Sequence, residues 1–154
     1  MVKPMKQGRL SSGQSGVAGE YLCAGELARR GHIATLTLKN SKGVDILASN
    51  ADASKTVAIQ VKTSYGNSTK WVLSHKAEDF YKENLFYVFV NLNFGNPPDY
   101  FIVPSKVVAD TIKEYYKVWR STPGRKGQEH NENPMRTFID KEKQYLGKWD
   151  SLGL

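Results

Sequence analysis

Three side chains in two neighbouring segments carry the chemistry that this sequence offers. Asp45 lies in Gly43-Val44-Asp45-Ile46-Leu47, and Gln60 and Lys62 lie in Ala58-Ile59-Gln60-Val61-Lys62-Thr63-Ser64. Both segments read as strands, Val44 to Ser49 and Thr56 to Thr63, joined by the polar loop Asn50 to Lys55. If that loop is symmetric about the Asp52–Ala53 bond, Asp45 falls opposite Gln60, where antiparallel partners hold their Cβ atoms about 5 Å apart on one sheet face. Lys62, two residues further on, points to the same face. The other face then carries Val44, Ile46, Val57, Ile59 and Val61, a core pattern. A carboxylate, an amide and an ammonium are thereby expected on one surface.

A fourth member comes from the first helix. At helical spacing Val17, Tyr21, Ala24, Leu27 and Ala28 form an apolar stripe, with Glu20 inside it and Glu26, Arg29 and Arg30 opposite. A carboxylate on a buried stripe is costly unless it is paired or bound to a cation. Glu20 pointing at the Asp45, Gln60 and Lys62 group would remove that cost. Carboxylate oxygens, an amide oxygen and a backbone carbonyl suit the hard ions Mg²⁺ or Mn²⁺. Such an ion polarises a phosphoryl oxygen and lowers the pKa of a bound water. A lysine beside it orients that water or stabilises charge developing on phosphate. Hydrolysis of a phosphodiester needs these parts and little else.

The elements that must position these residues follow from patterning. The helix is expected over Gln14 to Arg30, ending at Gly31. Strands are expected at His32 to Lys39, then at the two segments above, with a short one at Trp71 to Leu73. A short helix is placed at Lys76 to Lys82, and Leu85 to Leu92 reads as a strand buried on both faces. After the Asn96-Pro97-Pro98-Asp99 turn come a strand at Tyr100 to Val103 and a helix from Ser105 to Trp119. Ser121 to Pro134 is polar and bears Gly and Pro, so it is expected to be a mobile loop, with a last short helix near Asp140 to Trp149. Taken as α-β-β-β-α-β-β-α, this is an α/β chain with a mixed sheet flanked by helices. Residues 1–12 read as a flexible lead, and 13–154 as one domain with a C-terminal extension from about residue 120.

Bulk properties narrow the class. Apolar and charged fractions of 40% and 24% are those of an ordinary globular chain, not a disordered one. No apolar run approaches the roughly 20 residues that span a bilayer, so no membrane is expected. One cysteine, Cys23, cannot form an intrachain disulfide, which points to the reducing cytoplasm. The formal charge of +7, from 22 Lys and Arg against 15 Asp and Glu, favours an anionic partner such as nucleic acid. Two basic sets are candidates for phosphate contacts: Lys39, Lys42, Lys70 and Lys76 beside the site, and Arg120, Arg125, Lys126, His130 and Arg136 in the late loop. Pattern alone does not rank them. Cys23, His32, His75 and His130 are read as non-catalytic, and the Tyr115, Tyr116 and Trp119 group as core.

With the residues set out, the two strand segments resemble the core of the PD-(D/E)XK nuclease superfamily, which includes restriction endonucleases and archaeal Holliday junction resolvases. The segment Gly19-Glu20-Tyr21 through Arg30-Gly31-His32 is similar to the helix that precedes that core. The resemblance covers Gln14 to Ser64 well and the later elements loosely. It implies a restriction endonuclease-like fold and a Mg²⁺- or Mn²⁺-dependent nuclease acting on nucleic acid, with DNA foremost. It also implies that Asp45 and the Val61 carbonyl hold the metal, that Lys62 is the catalytic lysine, and that Glu20 is an outer acid. Gln60 takes the place of the second acid, and Val44 that of the motif's proline. The loss of one negative charge at Gln60 leaves a second reading open, a weak or inactive nucleic-acid-binding or protein-interaction module of the same fold. Cleavage of both strands with one site per chain would call for a homodimer.

Overall fold

The computed structural model of the chain describes residues 8–38 and 41–154. Lys39 and residues 1–7 of the expected lead lie outside them. Helix α1 (Ser12–Arg29) starts ahead of the expected Gln14 because Ser11 and Gln14 form a reciprocal cap. The Gln14 N–H donates to Ser11 Oγ at 3.2 Å, and the Ser11 N–H donates to Gln14 Oε1 at 3.1 Å. Strands β1 (Ile33–Leu36), β2 (Ile46–Ser49), β3 (Thr56–Ser64), β4 (Lys70–Ser74), β5 (Leu85–Asn91) and β6 (Asp99–Pro104) follow, then helix α2 (Ser105–Ser121) and strand β7 (Met135–Ile139).

Five of the strands make one sheet in the order β1-β2-β3-β5-β6, in which only β3 and β5 run parallel. Strand β5 is buried along its whole length, as its unbroken apolar run predicts. Its side chains divide between two cores. Phe86, Val88 and Val90 join Val57, Ile59 and Val61 of β3 beneath α1, against Cys23 and Leu27. Tyr87 and Phe89 face the other way, toward Val108 and Ile112 of α2.

The buried face of α1 differs from the expected stripe. Ser15, Gly19, Cys23 and Leu27 are the buried positions, while Val17 and Tyr21 are 46% and 65% exposed. Small size selects the first three, and Leu27 is the one large apolar residue among them. A Cβ at Gly19 would stand 1.8 Å from Thr63 Oγ1 of β3, so only a glycine lets the helix come this close. Glu20 follows directly and sits half-buried at the margin of the stripe.

The C-terminal part also departs from expectation. Strand β7 pairs antiparallel with β4 in a separate two-stranded sheet, where Trp71 faces Phe138. This ribbon seals the α2 core: Phe138 stacks on Phe89 at 4.7 Å, and Trp71 lies 4.8 Å from Phe89 and 5.0 Å from Phe101. A basic residue hid the strand, because Arg136 occupies a buried position beside Phe138. It is paired with Glu78 and lies 3.4 Å over the Tyr116 ring.

The helix expected near Asp140 to Trp149 is instead an irregular turn. The Asp140 carboxylate accepts the Gln144 and Tyr145 N–H groups at 3.0 Å each, and left-handed backbone at Lys143 and Gly147 breaks any helix. Only Trp149–Leu152 coils, as a 3₁₀ turn. The short helix expected at Lys76 to Lys82 is likewise a 3₁₀ turn over His75–Glu78. Among the described residues no helix is long and apolar enough to cross a membrane.

Gly19→Ala is expected to lower the urea midpoint by the equivalent of about 1–3 kcal/mol, the usual range for overpacking. Adding Thr63→Ala should recover most of that loss, because the two side chains compete for one space. Simple additivity of the two substitutions would show that this approach does not govern residue 19.

Candidate active site

The expected hairpin register holds along β2 and β3, with Ile46 opposite Ile59 and Leu47 opposite Ala58. It breaks at Asp45, one residue before β2 begins. The Asp45 N–H donates to the carbonyl of Ile59, the residue paired with Ile46, at 2.8 Å, and Asp45 Oδ2 accepts the Val61 N–H at 2.7 Å. A side-chain carboxylate thus stands in for the next rung of the ladder. Thr37 holds the segment from the other side. Its N–H donates to the Asp45 carbonyl at 2.9 Å and its hydroxyl to the Val44 carbonyl at 2.6 Å. Just before it, Gly43 has a φ of +71°, and a Cβ there would lie 2.6 Å from the Phe80 ring. No other residue meets both conditions easily.

The break changes which side chains share a space. Gln60 and Lys62 both project from one face of β3 into a cleft of about 470 Å³, with Lys42, Gly43, Lys76, Phe80 and Tyr87 among its walls. Asp45 and Glu20 line a different cleft of about 270 Å³, together with Val17, Thr37, Leu38 and Ser41. The single surface expected from strand alternation is therefore two, because Asp45 lies outside β2 and does not follow its alternation. Asp45 stands at the seam between them, and its charge reaches both sides of the sheet. On the α1 side the Cys23 thiol is pushed up to about 12, by burial first and then by the Asp45 and Glu26 charges. On the other side the Tyr87 phenol is pushed up to about 12, by burial and then by Asp45.

The donor set at the seam is suited to a hard cation. Glu20 and Asp45 supply carboxylate oxygens to one cleft. In a strand the N–H and C=O of one residue lie on the same edge. The Val61 carbonyl therefore opens on the same edge as the N–H held by Asp45, past the end of β2. Among the described residues no three His, Cys, Asp or Glu side chains gather as a metal group. Glu20, Asp45 and the Val61 carbonyl fit such an ion, and Gln60 approaches from the opposite face.

The basic residues separate clearly. Lys42 and Lys76 join Lys62 on the larger cleft. Lys70 is exposed on β4. Arg125 and Lys126 are exposed in a tight loop closed by the Gly124 N–H to the Gln128 carbonyl, and line neither cleft. Arg120 donates to the His130 carbonyl, and His130 stacks on Trp119 at 4.0 Å, so that loop is tied back to α2. Residue patterning missed Phe80 and Tyr87 as walls of the cleft; the turn at Gly43, which needs the Phe80 ring beside it, was the signal available.

A mixed sheet with α1 on one face and α2 on the other is the restriction endonuclease-like fold, as expected. Among solved structures the chain is similar to the bacterial homing endonuclease I-Ssp6803I, with a TM-score of 0.51 and 13% identity over 90% of this chain and 88% of that one. It is also similar to Hjc, a Holliday junction resolvase of Archaeoglobus fulgidus, with a TM-score of 0.47 and 14% identity over 84% and 86% of the two chains. No family model and no curated protein matches the sequence.

The raised acidities give a pH dependence with a definite sign. Cys23 is shifted from 9.0 to about 12, and Tyr87 and Tyr100 from 10.0 to about 12. The folded chain keeps these protons where the unfolded chain has lost them, so stability is full below pH 9 and falls from there until about pH 12. Urea midpoints should decline through that window, and Tyr87→Phe should shallow the decline above pH 10. A midpoint that stays level to pH 12 would contradict the burial of these groups.

Proposed function

We propose that this chain is a metal-dependent nuclease that hydrolyses phosphodiester bonds of DNA, using Mg²⁺ or Mn²⁺. The observation that carries this reading is the Asp45 carboxylate held by the Val61 N–H where β2 and β3 part. It stands between the cleft that contains Glu20 and the cleft that contains Lys62. The fold supports it, being one on which a homing endonuclease is built.

Glu20, Asp45 and the Val61 carbonyl would hold the ion, while Gln60 projects into the cleft of Lys62. When bound, such an ion polarises a phosphoryl oxygen and lowers the pKa of a water. The chain's own residues do the rest. The Thr37 N–H donates to the Asp45 carbonyl, the Asp45 N–H to the Ile59 carbonyl and the Val61 N–H to Asp45 Oδ2, so the carboxylate is held in place without reorganisation. Lys62 presents an ammonium from a rigid strand, where it can donate to a phosphate oxygen as charge develops. Lys42 and Lys76 beside it suit the flanking phosphates.

The second reading, binding without turnover, is favoured by one feature: Gln60 leaves the site with two carboxylates and a neutral amide. One experiment separates the two. Purified protein incubated with plasmid and with labelled oligonucleotides should cleave in Mn²⁺ or Mg²⁺. Lys62→Ala and Asp45→Asn should each slow cleavage by about 100-fold or more, the loss typical of a charge-stabilising donor. Cleavage by Lys62→Ala at the parent rate would overturn the nuclease reading. Salt-sensitive DNA binding with no cleavage in either metal would establish the binding module instead.

A further inference from the structure

The larger cleft holds more than a phosphate needs. Its volume is about 470 Å³, within the range of sites that enclose an organic ligand of roughly 300–1,000 Å³. Its inner walls are apolar and aromatic: Leu73 and Ala77 are buried, Tyr87 is fully buried, and the Phe80 ring stands at the mouth, 37% exposed. One amide, Gln60, able both to donate and to accept, projects into it, and the Ser74 and Tyr87 side chains also line it. Lys42, Lys62 and Lys76 bring positive charge, and none of the three makes an ion pair among the described residues. Asp79, the one acid in the lining, lies 3.6 Å from Lys113 and is turned to solvent.

Flat aromatic surface, one amide and a cationic rim together match the chemistry of a nucleotide, with base inside and phosphates at the edge. A base within a duplex cannot enter such a space, since its faces are covered by its neighbours. We propose that this cleft takes the unpaired base of a DNA strand, stacked against Phe80 and read by the Gln60 amide, with its phosphates on Lys42 and Lys76. The inference rests on the reading that the chain binds DNA. It also supplies a use for Gln60 that an acid could not serve. A carboxylate only accepts hydrogen bonds and repels phosphate, whereas an amide meets either kind of group on a base edge.

The test is a binding titration in EDTA, so that no cleavage occurs, comparing a labelled duplex that carries one unpaired nucleotide with the fully paired duplex of the same sequence. The bulged duplex should bind about tenfold more tightly, the scale of one base stacked on one aromatic ring. Phe80→Leu, which keeps apolar volume at the mouth but removes the ring, should bring the ratio of the two affinities to about one. Phe80→Tyr should keep it. A fluorescent adenine analogue at the unpaired position should be quenched by the parent protein and not by Phe80→Leu. Equal affinity for the two duplexes, or an unchanged ratio in Phe80→Leu, would overturn this inference and leave the nuclease reading standing. Absence of binding to either duplex at low salt would overturn both.

Discussion

A backbone N–H in the middle of a sheet must find an acceptor, and at Val61 the neighbouring strand no longer supplies one. Strand β2 pairs with β3 only as far as Ile46, and the Asp45 carboxylate takes the next N–H at 2.7 Å. That substitution decides much of what surrounds it. It ends the β2 pairing beyond Ile59 and leaves the Val61 carbonyl on the same edge as the Asp45 carboxylate. It also fixes an acid where the α1 side and the α2 side of the sheet meet. The same charge-assisted bond that completes the ladder holds the carboxylate still, so the structural role and the proposed chemical one fall on one side chain.

Two close approaches keep this arrangement rigid. On one face, Gly19 lets α1 reach Thr63, which brings Glu20 to the cleft it shares with Asp45. On the other, the glycine at 43 admits the Phe80 ring against the backbone just before Asp45. Neither site depends on a large hydrophobic contact. Each depends on the absence of a Cβ, so the geometry tolerates little change in side-chain volume.

Much of this was legible in the residues. Alternation in Val57, Ile59 and Val61 gave the core face of β3, and loop symmetry gave the Ile46–Ile59 register. Gln60 and Lys62, two apart on one strand, do share a cleft. Asp45 lines the neighbouring cleft, because periodicity describes a strand's interior and says nothing about where pairing stops. The stripe on α1 was misjudged for a related reason: hydrophobicity marks what prefers burial, whereas the tight contact with β3 selected by size. Strand β7 escaped because its pairing with β4 is remote in sequence and one of its buried residues, Arg136, is charged. That charge is tolerated by Glu78 and the Tyr116 ring, neither of which is near it in the chain.

The β4–β7 ribbon has a bearing on how the molecule matures. Strand β4 lies in the connection between the parallel strands β3 and β5, yet its partner is among the last segments of the chain. Leu73 and Ser74 line the larger cleft, and they gain their hydrogen-bonded neighbours only when Arg136 and Met135 arrive. Contacts between such distant segments form late, because the intervening loop must first be closed. During synthesis the five-stranded sheet can therefore assemble, with Lys62 in place, while one wall of the cleft is still missing. The larger cleft is therefore closed only once residues 135–139 have paired with β4.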